Sequence, residues 1–472
     1  MRADREKLHE ECGVFGVSME AAEAAGTTCN GLLALQHRGQ EGAGIAVRHG
    51  ASIVCQKDVG LVGEVLSPAA LARLPAARLA VGHVRYSTTG ANRLANVQPM
   101  TAEYLRGRIA VAHNGNIINA PELRRELEQF GCEFSATSDS EVVCALIARE
   151  ALGHETIEEA VEAAVRRLRG AFSLVVLTSQ GKLIAVRDPW GFRPLCMGRL
   201  PDGSGVAFAS ESCALDNTGF DFVRDVAPGE MIVIDENRWI TSLIFAKSKD
   251  MGLCIFEYVY FARPDSTLDG QGVYTARVRM GEILAREHSA PADIVCGVPD
   301  SGMEAAMGYA RASGIPLASG FVKNRYIGRS FIFPSQLQRD AAVRLKLNPL
   351  RANVEGRSVV LVDDSVVRGT TGRKIVSSLR AAGAREVHLR ISSPPFRYAC
   401  HFGTDIDDER TLLANRADLA GMARELGVDS LGFISVDGLK KACMDSRLPL
   451  CTGCFDRNYP LRPCDADGAQ KA

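Results

Sequence analysis

The stretch VVLVDDSVVRGTT (359–371) carries the densest chemistry in the chain. An apolar strand delivers two adjacent carboxylates, Asp363 and Asp364, and a Ser/Gly/Thr loop then opens a helix. Backbone N–H groups at such a loop and helix start form a nest for an anion, and a phosphate fits it well. VPDSG (298–302) repeats the arrangement after another apolar strand, which brings both loops to the same carboxyl edge of one sheet. Between the two lies KNRYIGRSFI (323–332), cationic and poor in strand or helix signals. It reads as a mobile lid, with Lys323 and Arg325 as the cations that cover what the loops hold. The chain also has 14 cysteines. CTGC (451–454) sets two of them at a spacing that fits a redox couple or a zinc site equally. Cys12 follows two glutamates at the start of an apolar run and by itself reads as a core residue.

These residues need a scaffold. In the N-terminal half, short apolar runs separated by Gly, Asn and Asp read as strands at 12–18, 42–48, 77–87, 107–115, 172–178, 182–188 and 231–235. Helical spacing occurs at 121–130 and 140–152. Many strands with few helices predict an α+β layered domain. The C-terminal half alternates near-continuous apolar strands (292–299, 357–364, 385–395) with helical text at 303–314 and 372–383. That alternation predicts βαβ units and a mainly parallel sheet. The junction falls near 235–255.

The 472 residues suffice for two or three domains at about 150 residues each. With 46% hydrophobic and 24% charged residues, the chain has a globular composition. Lys plus Arg (55) nearly cancels Asp plus Glu (56), so the net charge of −1 argues for neither a nucleic-acid nor a membrane partner. The N-terminal MRADREKLHE has no apolar core of a signal peptide, and no run of about 18 apolar residues could span a bilayer. The expectation is a cytoplasmic protein with reduced thiols.

Cys12 gains meaning from four companions: LQHRGQEGAGIA (35–46), GHVRYSTTG (82–90), AHNGN (112–116) and TSDSE (137–141). In this order and spacing they resemble the class II glutamine amidotransferases, whose mature N-terminal cysteine is the nucleophile. The resemblance implies an N-terminal nucleophile hydrolase sandwich over 12–245, preceded by a propeptide at 1–11. With the propeptide removed, Cys12 would carry a free α-amine, which at an ordinary pKa of about 8 can accept the thiol proton. The thiolate then attacks the glutamine amide, releasing ammonia and leaving a thioester for water. The resemblance assigns the Asn114 amide and the Gly115 N–H to the oxyanion, Arg85 to the glutamine carboxylate and Asp139 to its ammonium. His113 is read as a hydrogen-bonding residue at a strand end, not as a base.

VVLVDDSVVRGTT likewise resembles the phosphoribosyl-pyrophosphate (PRPP) loop of type I phosphoribosyltransferases. That implies an α/β domain over 246–472 with a C-terminal cluster-binding tail. Asp363 and Asp364 would hold the ribose hydroxyls, and Ser365, Arg368, Gly369, Thr370 and Thr371 the 5′-phosphate. Asp300, Ser301 and Gly302 would form the pyrophosphate loop. Ser301, Asp363 and Asp364 would surround a Mg²⁺ carried by the substrate.

A glutaminase ahead of a PRPP site resembles the amidophosphoribosyltransferase family from about residue 12 to 460. The family makes 5-phosphoribosylamine, glutamate and pyrophosphate from glutamine, water and PRPP, the first step of de novo purine biosynthesis. Ammonia would pass between the sites inside a homotetramer inhibited by purine nucleotides. In the family's iron–sulfur subclass the cluster ligands correspond here to Cys254, Cys400, Cys451 and Cys454. Four thiolates suit a [4Fe–4S] cluster or Zn²⁺, and Cys443 and Cys464 lie close enough in sequence to be rival ligands. Two other functions stay open at this stage: a different class II amidotransferase, and a regulatory protein that senses PRPP or nucleotide without catalysis.

Overall fold

Alternation along the N-terminal strands decides how the layers stack. The computed structural model describes residues 12–86, 93–324, 347–404, 406 and 408–462. The segment 1–11, residues 87–90, Arg325 with most of the expected lid, and Cys464 lie outside the described residues. In the strand Gly107–Ile117, Ala110 and Ala112 face one way while Ile109 and Val111 face the other. Gly170–Thr178 and Leu183–Arg187 alternate in the same sense. This period of two gives each strand one face for a facing sheet and one for a helix layer.

Six strands form an antiparallel sheet that runs from Ile240–Ile244 to Met100–Tyr104. Seven more form the facing sheet, with Gly13–Met19 beside Leu79–Arg85 near its middle. Val14, Val81, Val175, Phe208 and Ile232 fill the space between the sheets. The helix Ala24–Ala34 covers one outer face. Ala120–Gln129, Asp139–Glu150 and Ile157–Arg167 cover the other. The half is therefore the expected sandwich.

The expected strands and both expected helices are present, but two 11-residue helices and three short ones in this half were not anticipated. Ala24–Ala34 reads AAGTTCNGLLA, whose glycines, threonines and alanines give a poor 3.6-residue pattern. Ile157–Arg167 buries alanines between its valines, although Thr156 and Glu159 form a capping box that was there to be read.

In the second half, Ile294–Gly297, Ser358–Asp363, Glu386–Ile391 and Ser430–Phe433 pair in that order, all parallel. Val295, Val360 and Val362 pack toward the helices Val273–Glu287 and Met303–Ser313. Val359, Leu361 and Leu389 pack toward Thr370–Ala381 and Leu419–Leu426. Burial on both faces explains why these strands read as unbroken apolar runs.

Candidate functional site

The residues that the resemblance assigns to the glutaminase gather at one end of the sandwich. Gly13 lies opposite Val84, so Cys12 reaches the chain just beyond Arg85, where its thiol donates to Tyr86 O at 3.4 Å. Arg85 is 3% exposed, with Glu41 Oε2 3.9 Å from its Nη1. The AHNGN strand belongs to the facing sheet. His83 Nε2 joins the two sheets by donating to His113 O at 3.1 Å.

Asn114 follows directly. It is fully buried, and among the described residues neither its amide nitrogen nor its oxygen has a hydrogen-bond partner. Leaving such a group unmet costs about 1–3 kcal/mol, so a free buried amide is a donor kept for a ligand. Gly115 has φ +145°, and an added Cβ would stand 2.0 Å from Ala171 O. Only glycine fits there.

Asp139 opens its helix and accepts from Ile117 N–H at 2.9 Å, which ties the helix to the end of the same strand. It borders a cavity of about 530 Å³, walled by residues 116–118, by the start of the helix and by Ala399, Cys400 and His401. Cys12, Arg85 and Asn114 do not line that cavity, which therefore marks the Asp139 end of the site. His113 is buried, donates its backbone N–H to Gln98 Oε1 at 2.7 Å and places Nδ1 3.0 Å from Ser140 Oγ. Burial holds its pKa below the ordinary value, as burial and then the nearby Arg85 charge hold His83 at about 3. Both rings are neutral structural links.

The residues that the resemblance assigns to PRPP meet where two parallel strands end. Gly297 pairs with Val362, which sets the 298–302 loop beside Asp363 and Asp364. The two acids are 4% and 1% exposed. Ser301 Oγ donates to Asp364 Oδ2 and Ser365 Oγ to Asp364 Oδ1. Asp364 N–H donates to Asp363 Oδ1 at 3.0 Å. Gly369, at φ +88°, turns the chain into the helix Thr370–Ala381, whose first turn holds Thr370 and Thr371. Arg368 Nε donates to Thr411 Oγ1 at 3.2 Å. Gly302 N–H donates to Val298 O at 2.9 Å and starts the helix Met303–Ser313. Lys323 ends a short strand and forms an ion pair with Asp300. The acids and hydroxyls offer oxygen donors only, as Mg²⁺ prefers.

Four thiols converge at the tail. Leu253–Cys254 pairs in parallel with Leu450–Cys451, which places Cys254 beside Cys451. Tyr398 N–H donates to Cys454 O at 3.1 Å and carries the chain toward Cys400. Burial pushes the Cys451 thiol up to about 12, with Cys400 adding to the effect. Burial, then Cys400, Cys254 and Cys451, hold Cys454 far above the ordinary thiol range. Phe192, Phe402, Trp190 and Tyr459 pack around Cys400 and Cys451. No described cysteine is in a disulfide, and among the described residues no three His, Cys, Asp or Glu side chains form a group that could hold a metal ion. The donor set is four sulfurs in an apolar shell, and a bound cation would deprotonate them. Cys443 instead fills the core near Tyr258.

A buried charge cluster escaped the sequence reading. Arg38, Glu211 and Glu257 are 0% exposed and Arg193 1%. Arg38 lay inside a motif already singled out, yet its partner Glu257 is 219 residues away, and no local signal joins them.

Residues 83–217 match the family model of a glutamine amidotransferase domain, and 279–392 that of a phosphoribosyl transferase domain. The chain is similar to the amidophosphoribosyltransferase of Methanocaldococcus jannaschii, with 46% identity over 95% of this chain and 97% of that one. It is 44% identical to the Bacillus subtilis amidophosphoribosyltransferase over 98% of this chain and 96% of that one. The solved B. subtilis glutamine PRPP amidotransferase, complexed with ADP and GMP, superposes with a TM-score of 0.89 at 43% identity, covering 96% of this chain and 98% of that one.

Proposed function

The chain belongs to the amidophosphoribosyltransferase family, and from that premise we propose how its own residues divide the work. The reaction moves the amide nitrogen of glutamine to PRPP and yields 5-phosphoribosylamine, glutamate and pyrophosphate, the first step of purine biosynthesis. Cys12, exposed as the N-terminal residue once 1–11 is removed, attacks the glutamine amide with its own α-amine as proton acceptor. Asn114 and Gly115 receive the oxyanion, Arg85 the substrate carboxylate and Asp139 its ammonium. The observation that carries this reading is the Asn114 amide, fully buried with neither polar atom satisfied among the described residues.

At the second site, Asp363 and Asp364 hold the ribose hydroxyls, and the turn from Ser365 through Arg368, Gly369, Thr370 and Thr371 holds the 5′-phosphate. Asp300, Ser301 and Gly302 take the pyrophosphate, with Lys323 and Arg325 above it. Mg²⁺ bound by Ser301, Asp363 and Asp364 would neutralise the departing pyrophosphate. Covering the ribose carbon excludes water, so ammonia arriving through the protein is the nucleophile there.

Cys254, Cys400, Cys451 and Cys454 hold a [4Fe–4S] cluster, which ties the tail to the core and transfers no electrons in either half-reaction. The all-sulfur donor set and its apolar shell support this. Adenine and guanine nucleotides inhibit the enzyme, a reading supported by the ADP and GMP bound to the B. subtilis relative. The same family reading gives a cytoplasmic homotetramer. Among the described residues no helix is long and apolar enough to cross a membrane.

One anaerobic preparation tests both the processing and the cluster. The expected sample is brown, contains about four irons and four sulfides per chain, and has an intact mass that begins at Cys12. A colourless zinc protein would overturn the cluster, and fully glutamine-active enzyme retaining residues 1–11 would overturn the processing.

A further inference from the structure

Arg38 divides its donors among three partners. Nε donates to the Cys12 carbonyl at 3.1 Å. Nη1 donates to Glu211 Oε1 at 2.6 Å and to Glu257 Oε2 at 3.0 Å, and Nη2 donates to Glu257 Oε1 at 2.9 Å. Arg193 closes the group, with Nη1 3.3 Å from Glu257 Oε1 and Nη2 donating to Phe402 O at 2.6 Å. Glu211 Oε1 also meets Nε2 of the partly exposed His37 at 2.7 Å, and the two arginines face two carboxylates with all four of these side chains buried. A guanidinium is a planar fork with fixed donor directions, so the bidentate contact with Glu257 also sets where Nε points.

Glu257 belongs to the phosphoribosyltransferase half, where it begins the helical turn Glu257–Phe261. The carbonyls of Tyr258, Tyr260 and Ala262 accept from Arg277 at 2.8, 3.1 and 2.7 Å. Arg277 Nη1 in turn lies 3.8 Å from Glu304, two residues beyond Gly302 of the 298–302 loop. Buried polar contacts therefore run from the backbone of the nucleophile to the edge of the second site.

We propose that Glu257 is a positioning residue for the glutaminase: acting through Arg38, it fixes the carbonyl of Cys12 and so the aim of that residue's thiol and α-amine. The proposal rests on Cys12 being the nucleophile. It makes the glutaminase geometry depend on a side chain from the other half of the molecule. Arg38 touches the backbone of Cys12 and no group assigned to glutamine, so the effect belongs in kcat and not in the KM for glutamine.

The test is Glu257→Gln in the full-length holoenzyme, assayed with glutamine and, separately, with ammonium as nitrogen source. The amide keeps the shape but loses the charge and one acceptor. Glutamine-dependent kcat is expected to fall by about 10- to 100-fold, with glutamine KM and ammonium-dependent synthesis each within about two-fold of the unaltered enzyme. Glu257→Asp keeps the charge balance but shortens the reach, and the same glutamine-specific fall is expected if the amide variant does not fold. A glutamine-dependent kcat within about two-fold of normal, or a parallel fall of both activities, would overturn the proposal. Cys12→Ala in the same assay separates the two ideas. If that variant still used glutamine, the nucleophile assignment itself would fail. If it did not and Glu257→Gln did so normally, only the positioning role would fail.

Discussion

Around Cys12 the working side chains come from separate stretches of the sequence: Arg38, Arg85, Asn114 and Asp139 each arrive on a different strand, turn or helix. Long-range bonds hold them, such as His83 to the His113 carbonyl, Asp139 to Ile117 N–H and Arg38 to Glu211 and Glu257. Around Asp363 the positioning is local. One strand, one loop and one helix start carry both acids, Ser365, Arg368 and the two threonines, and a second such loop adds Ser301. The first site can therefore be disturbed from far away, including from the other half of the chain. The second answers mainly to its own two loops.

The nitrogen source separates the two regions in an assay, because ammonium needs only the second. Cys12→Ala should give the largest split. Glutamine-dependent synthesis should fall by about 10³-fold or more, while pyrophosphate release with ammonium persists. Equal loss with both sources would break the division. Asp364→Asn should lower both activities together by about 10²- to 10³-fold, since the proposed hold on the ribose and its Mg²⁺ is needed whichever nitrogen attacks. A loss confined to glutamine would place Asp364 in the wrong region. Asn114→Ala removes one proposed oxyanion donor and should cost about 10²-fold in glutamine-dependent kcat, with ammonium-dependent synthesis unchanged.

The smallest effect concerns the bonds that join the two sheets. Burial holds His83 at about 3, so between pH 6.5 and 3 the unfolded chain binds a proton that the folded chain refuses. The stability from this histidine is fully present above pH 6.5 and is lost as the pH falls, by about 1.4 kcal/mol per unit. His83→Gln, which keeps a donor without a titrating ring, should flatten that slope in urea unfolding at pH 5 and pH 7. Identical slopes in the two proteins would show that His83 is not the group responsible.

The same contrast explains what could be read from the residues alone. The strand, acids and helix start at 359–371 are contiguous, so their place at a sheet edge was visible in the order of residues. The four thiols were legible as a set only through the family resemblance, because Cys254 and Cys451 become neighbours through a two-residue parallel pairing that no periodicity marks. The residues assigned to glutamine were proposed by motif, but what holds them was hidden. No motif or periodicity marks Glu211 and Glu257, which are buried and paired with two arginines. Helix Ala24–Ala34 was missed for a related reason, since its burial is imposed by the sheet it covers and not by its own weak pattern.

The central claim is that the nitrogen released at Cys12 is the one joined to the ribose at Asp363 and Asp364. It is tested most directly by supplying amide-¹⁵N glutamine and PRPP together, trapping the phosphoribosylamine and counting glutamate and pyrophosphate in the same sample. Labelled product is expected, with glutamate and pyrophosphate formed one for one. Unlabelled product, or glutamate accumulating without pyrophosphate when PRPP is saturating, would contradict it.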